Sequence, residues 1–322
     1  MKSVSLSALL VAVAAVVLVS GTAFGYFFGM KKAPAVVENL KATVTASAAP
    51  AKPPKFLANI VGKTPETQMR EPLSVAVADN GRVFVADTGN GRIQAYDPNG
   101  EFLFQFGQKG EGESNLEMPA TLAWHNGRLY VGDLRRNAIL EFDGSGRFVQ
   151  AIKGKDLGVN LSPLAFAFDS DTLYAASAPG YIYAIDPAGK LVATIGKPGG
   201  PEGYLGYPNG LAIVGGQIVV ADSNNQRVQV FDKGGNLVSI KTDLGLSLPR
   251  GMAVDRFGRL LVVDTFGHNV VALDKDLKPL FRFGDRGLEE GQFNFPNQLA
   301  TDDVGRVYIA DRENNRVVVF GY

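Results

Sequence analysis

Apolar positions follow one pattern near the N-terminus and another over the rest of the chain. From Val4 to Met30 the text VSLSALLVAVAAVVLVSGTAFGYFFGM carries no charge, and as a helix it is long enough to cross about 30 Å of hydrocarbon. From residue 56 onward apolar residues come in short runs broken by turn signals. The run SVAVAD ends at Asn80-Gly81, a two-residue hairpin signal, and Gly127, Gly216, Gly258 and Gly305 stand at equivalent turns. The next run, VFVAD, alternates poorly, as expected of a strand buried on both faces. A turn, a third run RIQAYD, a second turn at Pro98-Asn99-Gly100 and a fourth run EFLFQFG complete a unit that predicts four antiparallel strands.

The unit recurs. Six segments align, at 71–100, 118–146, 161–189, 207–235, 248–276 and 295–320, with a period of about 45 residues. The last stops at Phe320-Gly321-Tyr322 without a fourth run, and FLANIVG at 56–62 resembles the missing one (compare FLFQFG at 102–107). The N-terminal run is therefore expected to pair with the last unit and close a ring, which removes exposed sheet edges. The predicted fold is all-β: a six-bladed β-propeller of four-stranded antiparallel blades over 56–322, closed by an N-terminal strand and preceded by one transmembrane or signal helix. That helix falls in 1–32. An Ala/Pro-rich linker follows at 33–55, where Pro50, Pro53 and Pro54 exclude a continuous helix.

Two readings of the first segment stay open. Lys2 on one side and Lys31-Lys32 on the other suit an uncleaved anchor. Leu6–Val19 followed by Ala23-Phe24-Gly25 suits a signal peptide with its cleavage site. The expected location is membrane-anchored with the propeller outside the cytoplasm, a cleaved signal peptide being the alternative. Charge bears on the partner. Residues 1–55 hold six of the 32 basic residues and one of the 32 acidic ones, so the body carries 26 against 31, a net of −5. Such a body has no general attraction for phosphate backbones, and no nucleic acid is expected. With no cysteine, thiolate metal sites, disulfides and cysteine nucleophiles are excluded.

The units resemble the NHL repeat. The matching features are an opening Pro-x-Gly/x followed by an apolar residue and Ala-Val, an Ala-Asp closing the second strand, and Asn-x-Arg-Val/Ile opening the third. The inter-blade stretches 107–119 and 284–296 match in part. The resemblance implies the propeller fold across 56–322. It leaves function open, because such propellers serve as protein-binding platforms, RNA readers, sensor domains and enzymes. The recurring Asp87, Asp133, Asp222, Asp264 and Asp311, with Arg92, Arg227 and Arg316 five residues after three of them, read as structural: carboxylates that bind turn amides and arginines. Asn90, Asn225 and Asn314 are expected mid-turn with left-handed backbone. The third unit breaks the pattern with Ala176, Ser177 and Pro179-Gly180.

Candidate ligand-binding residues lie where the innermost strands begin, at one mouth of the central channel. There the repeat places unequal residues: Glu71, Leu73, Thr121, Leu164, Asn209, Arg250 and Asn297, with Arg135 and Arg136 in a nearby turn. The plain alternative is solvated loop. Six-bladed lactonases of the SMP-30/gluconolactonase type hold calcium with a Glu before a Pro, an Asn in Pro-Asn-Gly and an Asp before Gly-Met. By that resemblance Glu71 and Asn209 match, but Arg250 stands at the third place, where a cation would be repelled. NHL-type amidating lyases hold zinc with three histidines, and this chain has only His125 and His268, both expected at the surface. The expectation is a binding scaffold without catalytic residues, cofactor or metal. Its partners would be the membrane, through the N-terminal segment, and another protein or a small anionic ligand. The alternative is a lactonase-like or amidating-lyase-like enzyme with an altered metal site.

Overall fold

The computed structural model describes residues 52–110 and 112–322. The first apolar segment and nearly all of the linker lie outside these residues. Among the described residues no helix is long and apolar enough to cross a membrane.

The strands form six four-stranded antiparallel sheets. Five are meanders of consecutive strands; the first is Ser74–Val77, Val83–Asp87, Arg92–Tyr96 and Phe102–Phe106. The sixth takes three strands from the C-terminal end and its outermost from the N-terminal end, Lys55–Ile60 beside Arg316–Gly321. The pairing runs from Lys55 opposite Gly321 to Ile60 opposite Val317, with an irregularity between Phe56 and Ala58. The ring is thus sealed by the strand that the missing fourth run called for.

Six buried apolar clusters hold the blades together, one at each junction between neighbours. The second strand of each blade is the most deeply packed: all five residues of Val83–Asp87 and of Leu260–Asp264 are buried. A strand sandwiched between two neighbouring sheets has no solvent face, which is why its sequence does not alternate. At the closing junction Ile60 packs with Tyr96 of blade 1 and Tyr308 of blade 6, and Phe56 meets Phe320 edge-on at 6.3 Å.

The repeated carboxylates fasten each blade to the loop that enters it. Asp222 accepts the Gly206 N–H at 2.6 Å, the Asn225 amide at 2.9 Å, the Arg227 Nε–H at 2.7 Å and the Gln229 amide at 2.8 Å. Arg227 carries the link onward to the Pro201 and Tyr204 carbonyls. Asp87 and Asp311 do the same with Arg92 and Arg316. Asp133 and Asp264 keep the backbone donors but lack an arginine partner. There Arg136 and Arg282 reach the incoming loops from other positions. In blade 3 Ser177 replaces the aspartate and donates to the Asn160 carbonyl at 2.9 Å.

Two local expectations need correction. Asn90, Asn225 and Asn314 sit in short 3-10 turns with their amides on the aspartates. The left-handed residue is the next one along, Gly91, Gln226 or Asn315, because the turn closes only when the residue after the amide reverses the chain. His268 also takes this left-handed position (φ 51°) and is buried rather than on the surface. His125 is half-buried and stacks on Phe168 at 4.0 Å.

Candidate functional site

Each innermost strand begins with Pro or, in blade 1, two residues after it, and the two residues that follow the Pro set the shape of the channel. The first of the pair is Leu73, Ala120, Leu164, Asn209, Arg250 and Asn297 around the ring; the second is Ser74, Thr121, Ala165, Gly210, Gly251 and Gln298. Small residues dominate the second position because neighbouring inner strands crowd there. A Cβ on Gly210 would lie 2.0 Å from the Arg250 carbonyl oxygen, and one on Gly251 would lie 2.5 Å from Gln298 Cα.

Gln298 is the exception, and it crosses the channel. Its amide donates to the Leu164 carbonyl at 3.0 Å and to the Asn209 carbonyl at 2.8 Å. This bridge from blade 6 to blades 3 and 4 borders the inner cavity of about 210 Å³, lined by groups such as Leu122, Phe166 and Met252. The mouth cavity, about 180 Å³, is lined by Glu71, Tyr207, Asn209, Arg250, Asn297 and Arg312 together with apolar side chains.

The structure therefore brings Glu71, Asn209, Arg250 and Asn297 to one cavity. Thr121 lies one position deeper and lines the inner cavity, with Ala120 in its place at the mouth. Arg135 is exposed, 3.7 Å from Glu117, and Arg136 is tied to the Gly112 and Asn115 carbonyls, so neither lines the mouth. Arg312 and Gln298 belong to the site and escaped the sequence reading. Both stand where the other blades carry something smaller or uncharged (Thr88, Leu134, Ala178, Ser223 and Thr265 for the first), and that contrast was the available signal.

Backbone strain concentrates at the same rim. Glu71, Ser162, Tyr207 and Phe295 each precede the strand-opening Pro with positive φ, at 48°, 27°, 57° and 52°, a conformation non-glycine residues rarely adopt. For three of them a side chain of the preceding blade accepts the strained residue's N–H: Asn315 Oδ1 from Glu71, Asn137 Oδ1 from Ser162 and His268 Nδ1 from Phe295. His268 is thus a junction acceptor. Hydroxyls complete the rim, with Thr88, Ser223 and Thr265 donating to the Pro119, Pro249 and Pro296 carbonyls at 2.6, 2.5 and 2.7 Å.

Within this well-satisfied rim Arg250 stands apart. Its Nε is buried without a hydrogen-bond partner, and the described residues give its side chain no carboxylate within ion-pair distance. Burial holds the guanidinium below its ordinary pKa; Tyr207 opposes that shift and the positive charge of Arg312 adds to it. Glu71 lies 3.7 Å from Arg312 rather than on Arg250. Asn209 turns its amide to the Tyr207 carbonyl and the Ser223 hydroxyl, at 3.1 and 3.2 Å. Among the described residues no three His, Asp or Glu are grouped to hold a metal ion.

Six four-stranded blades around a channel that Gln298 spans define a closed β-propeller. The NHL repeat family model matches residues 69–96, 205–231 and 293–320, in blades 1, 4 and 6, so the chain is a six-bladed propeller that carries NHL repeats. It is 34% identical over 96 residues to NHL repeat-containing protein 3 of Mus musculus, a match covering 29% of this chain and 28% of that protein. To the E3 ubiquitin-protein ligase NHLRC1 of Mus musculus it is 25% identical over 270 residues, covering 74% of this chain and 63% of the relative. The chain thus matches less than two thirds of the length of either relative. Virginiamycin B lyase of Staphylococcus aureus superposes with a TM-score of 0.60 at 12% identity, covering 84% of this chain and 98% of that one. A protein of Bacteroides thetaiotaomicron gives 0.65 at 15% identity, covering 83% and 73%. At such identities the likeness is one of fold.

Proposed function

We propose that this protein is a binding scaffold, held at a membrane by its N-terminal segment, whose mouth-end face receives a protein partner. The observation that carries this reading is Arg250. The Asn209 amide and the Thr88, Ser223 and Thr265 hydroxyls of the rim are engaged inside the protein, whereas Arg250 is held in a cavity with its Nε unpartnered. A buried donor left without a partner costs about 1–3 kcal/mol in general, a cost that a bound anion would offset.

The entry point of the chain supports the tether. Lys55 pairs with Gly321, which pairs with Arg306, whereas the mouth-side Pro296 pairs with Asp311 at the other end of the same sheet. The chain thus enters blade 6 at the end of the sheet away from the mouth. Partner binding is in keeping with the NHL-repeat relatives, one of which is named as an E3 ubiquitin-protein ligase. The lactonase-like alternative loses support from Arg250, a cation lining the same cavity as Glu71 and Asn209.

Affinity capture from membranes with the full chain as bait tests the proposal. Wild type is expected to retain a specific partner that Arg250→Ala loses while its circular dichroism stays unchanged. Identical partner sets for the two baits would refute the assignment of the mouth as the binding face.

A further inference from the structure

We propose that the mouth cavity takes a single carboxylate group presented by a protein chain. This deepens the scaffold reading and rests on it for the partner's class. Three observations carry the chemistry. First, the charged lining residues are Arg250, Arg312 and Glu71, a net of one positive charge, which matches a monoanion better than a phosphate dianion. Second, the free hydrogen-bonding capacity suits a carboxylate. A guanidinium presents a planar fork that pairs with two carboxylate oxygens. Beside it Asn297, also in the lining, has a side-chain amide that no other described side chain or backbone group engages.

Third, size selects the source. A cavity of about 180 Å³ is well below the 300–1,000 Å³ that typically encloses a small-molecule ligand. It holds the tip of a side chain or a chain terminus, and the rest of the ligand must lie on the surrounding loops. Those loops carry Phe266, which is 59% exposed in the turn of the same blade as Arg250 and packs edge-on against Phe295, the residue before Pro296-Asn297. Aromatic side chains and arginine are the residue types enriched in protein interfaces.

The test uses full-length protein and saturation-transfer NMR with five probes. These are acetate, inorganic phosphate, an end-blocked peptide with one internal Glu, the same peptide with Gln, and an acid-free peptide with a free C-terminus. One or both carboxylate peptides are expected to bind at least tenfold more tightly than the blocked Gln peptide. Whichever of the two binds tells an acidic side chain from a chain terminus. Arg250→Gln is expected to weaken that binding at least tenfold and Arg250→Lys by less, since the charge remains and the fork is lost. Phe266→Ala is expected to weaken the peptide but not acetate, which ties the carboxylate to a protein source. The proposal is overturned if phosphate outcompetes acetate, if the Glu and Gln peptides bind alike with the free terminus no better, or if folded Arg250→Gln binds as wild type does. A capture experiment in which Arg250→Ala loses a partner, with no carboxylate probe binding, would leave the scaffold reading standing and remove this one. Carboxylate binding without any captured partner would do the reverse.

Discussion

Deleting residues 55–61 is expected to remove several kcal/mol of stability, roughly 10 °C or more in Tm for a body of this size, and to yield an aggregation-prone protein. The closing strand contributes the whole outer edge of blade 6, paired along Arg316–Gly321. Its Ile60 is 3% exposed and fills the junction that also holds Tyr96 and Tyr308. Without it Arg316–Gly321 becomes an open edge with unpaired N–H and C=O groups, a template for pairing with another chain. The milder variant Ile60→Ala isolates the packing component and is expected to cost about 2–5 kcal/mol, typical of large-to-small changes in a core. Thermal unfolding with light scattering reads both. A truncated chain that melts with wild-type Tm and stays monodisperse would mean that the ring does not depend on this strand.

Asp222→Ala is expected to cost about 3–5 kcal/mol, the range for removing one partner of a buried charge pair. Asp222 is fully buried, and its loss leaves the Arg227 Nε–H and the Gly206 N–H without their acceptor, removes the carboxylate that balances the Arg227 charge, and takes one of two acceptors from each of the Asn225 and Gln229 amides. Asp264→Ala supplies the comparison, since that carboxylate accepts the Ser247 and Leu248 N–H groups and has no arginine partner. Its cost is expected to be smaller, about 1–3 kcal/mol for unsatisfied neutral donors. Chemical denaturation of the two variants side by side checks the order, and an equal or reversed ranking would contradict the role assigned to Arg227.

The architecture was legible because it is written six times. Turn glycines and doubly buried second strands recur at one period, and the last unit's missing strand has its match at 56–62. The mouth was legible in part. Asn209, Arg250 and Asn297 announced themselves by differing where the repeat should make them alike, and Glu71 by its place before the strand-opening Pro. Gln298 went unread because its meaning depends on what lies across the channel: its acceptors are the carbonyls of Leu164 and Asn209 in other blades. Arg136 was placed with the wrong group for the same reason, since its tie to the 112–115 loop replaces the arginine that blade 2 lacks. His268 looked like a surface turn residue because turn position alone does not reveal that its Nδ1 accepts the N–H of Phe295 across a junction.

The most direct test of the account is the thermal stability of Arg250→Leu. If Arg250 is held at the mouth for a ligand and not for the fold, replacing an unpartnered, half-buried cation with an apolar side chain is expected to leave Tm unchanged or raise it by a few degrees. A fall of several degrees would mean that Arg250 serves the structure itself, and the assignment of the mouth as a binding site would lose its foundation.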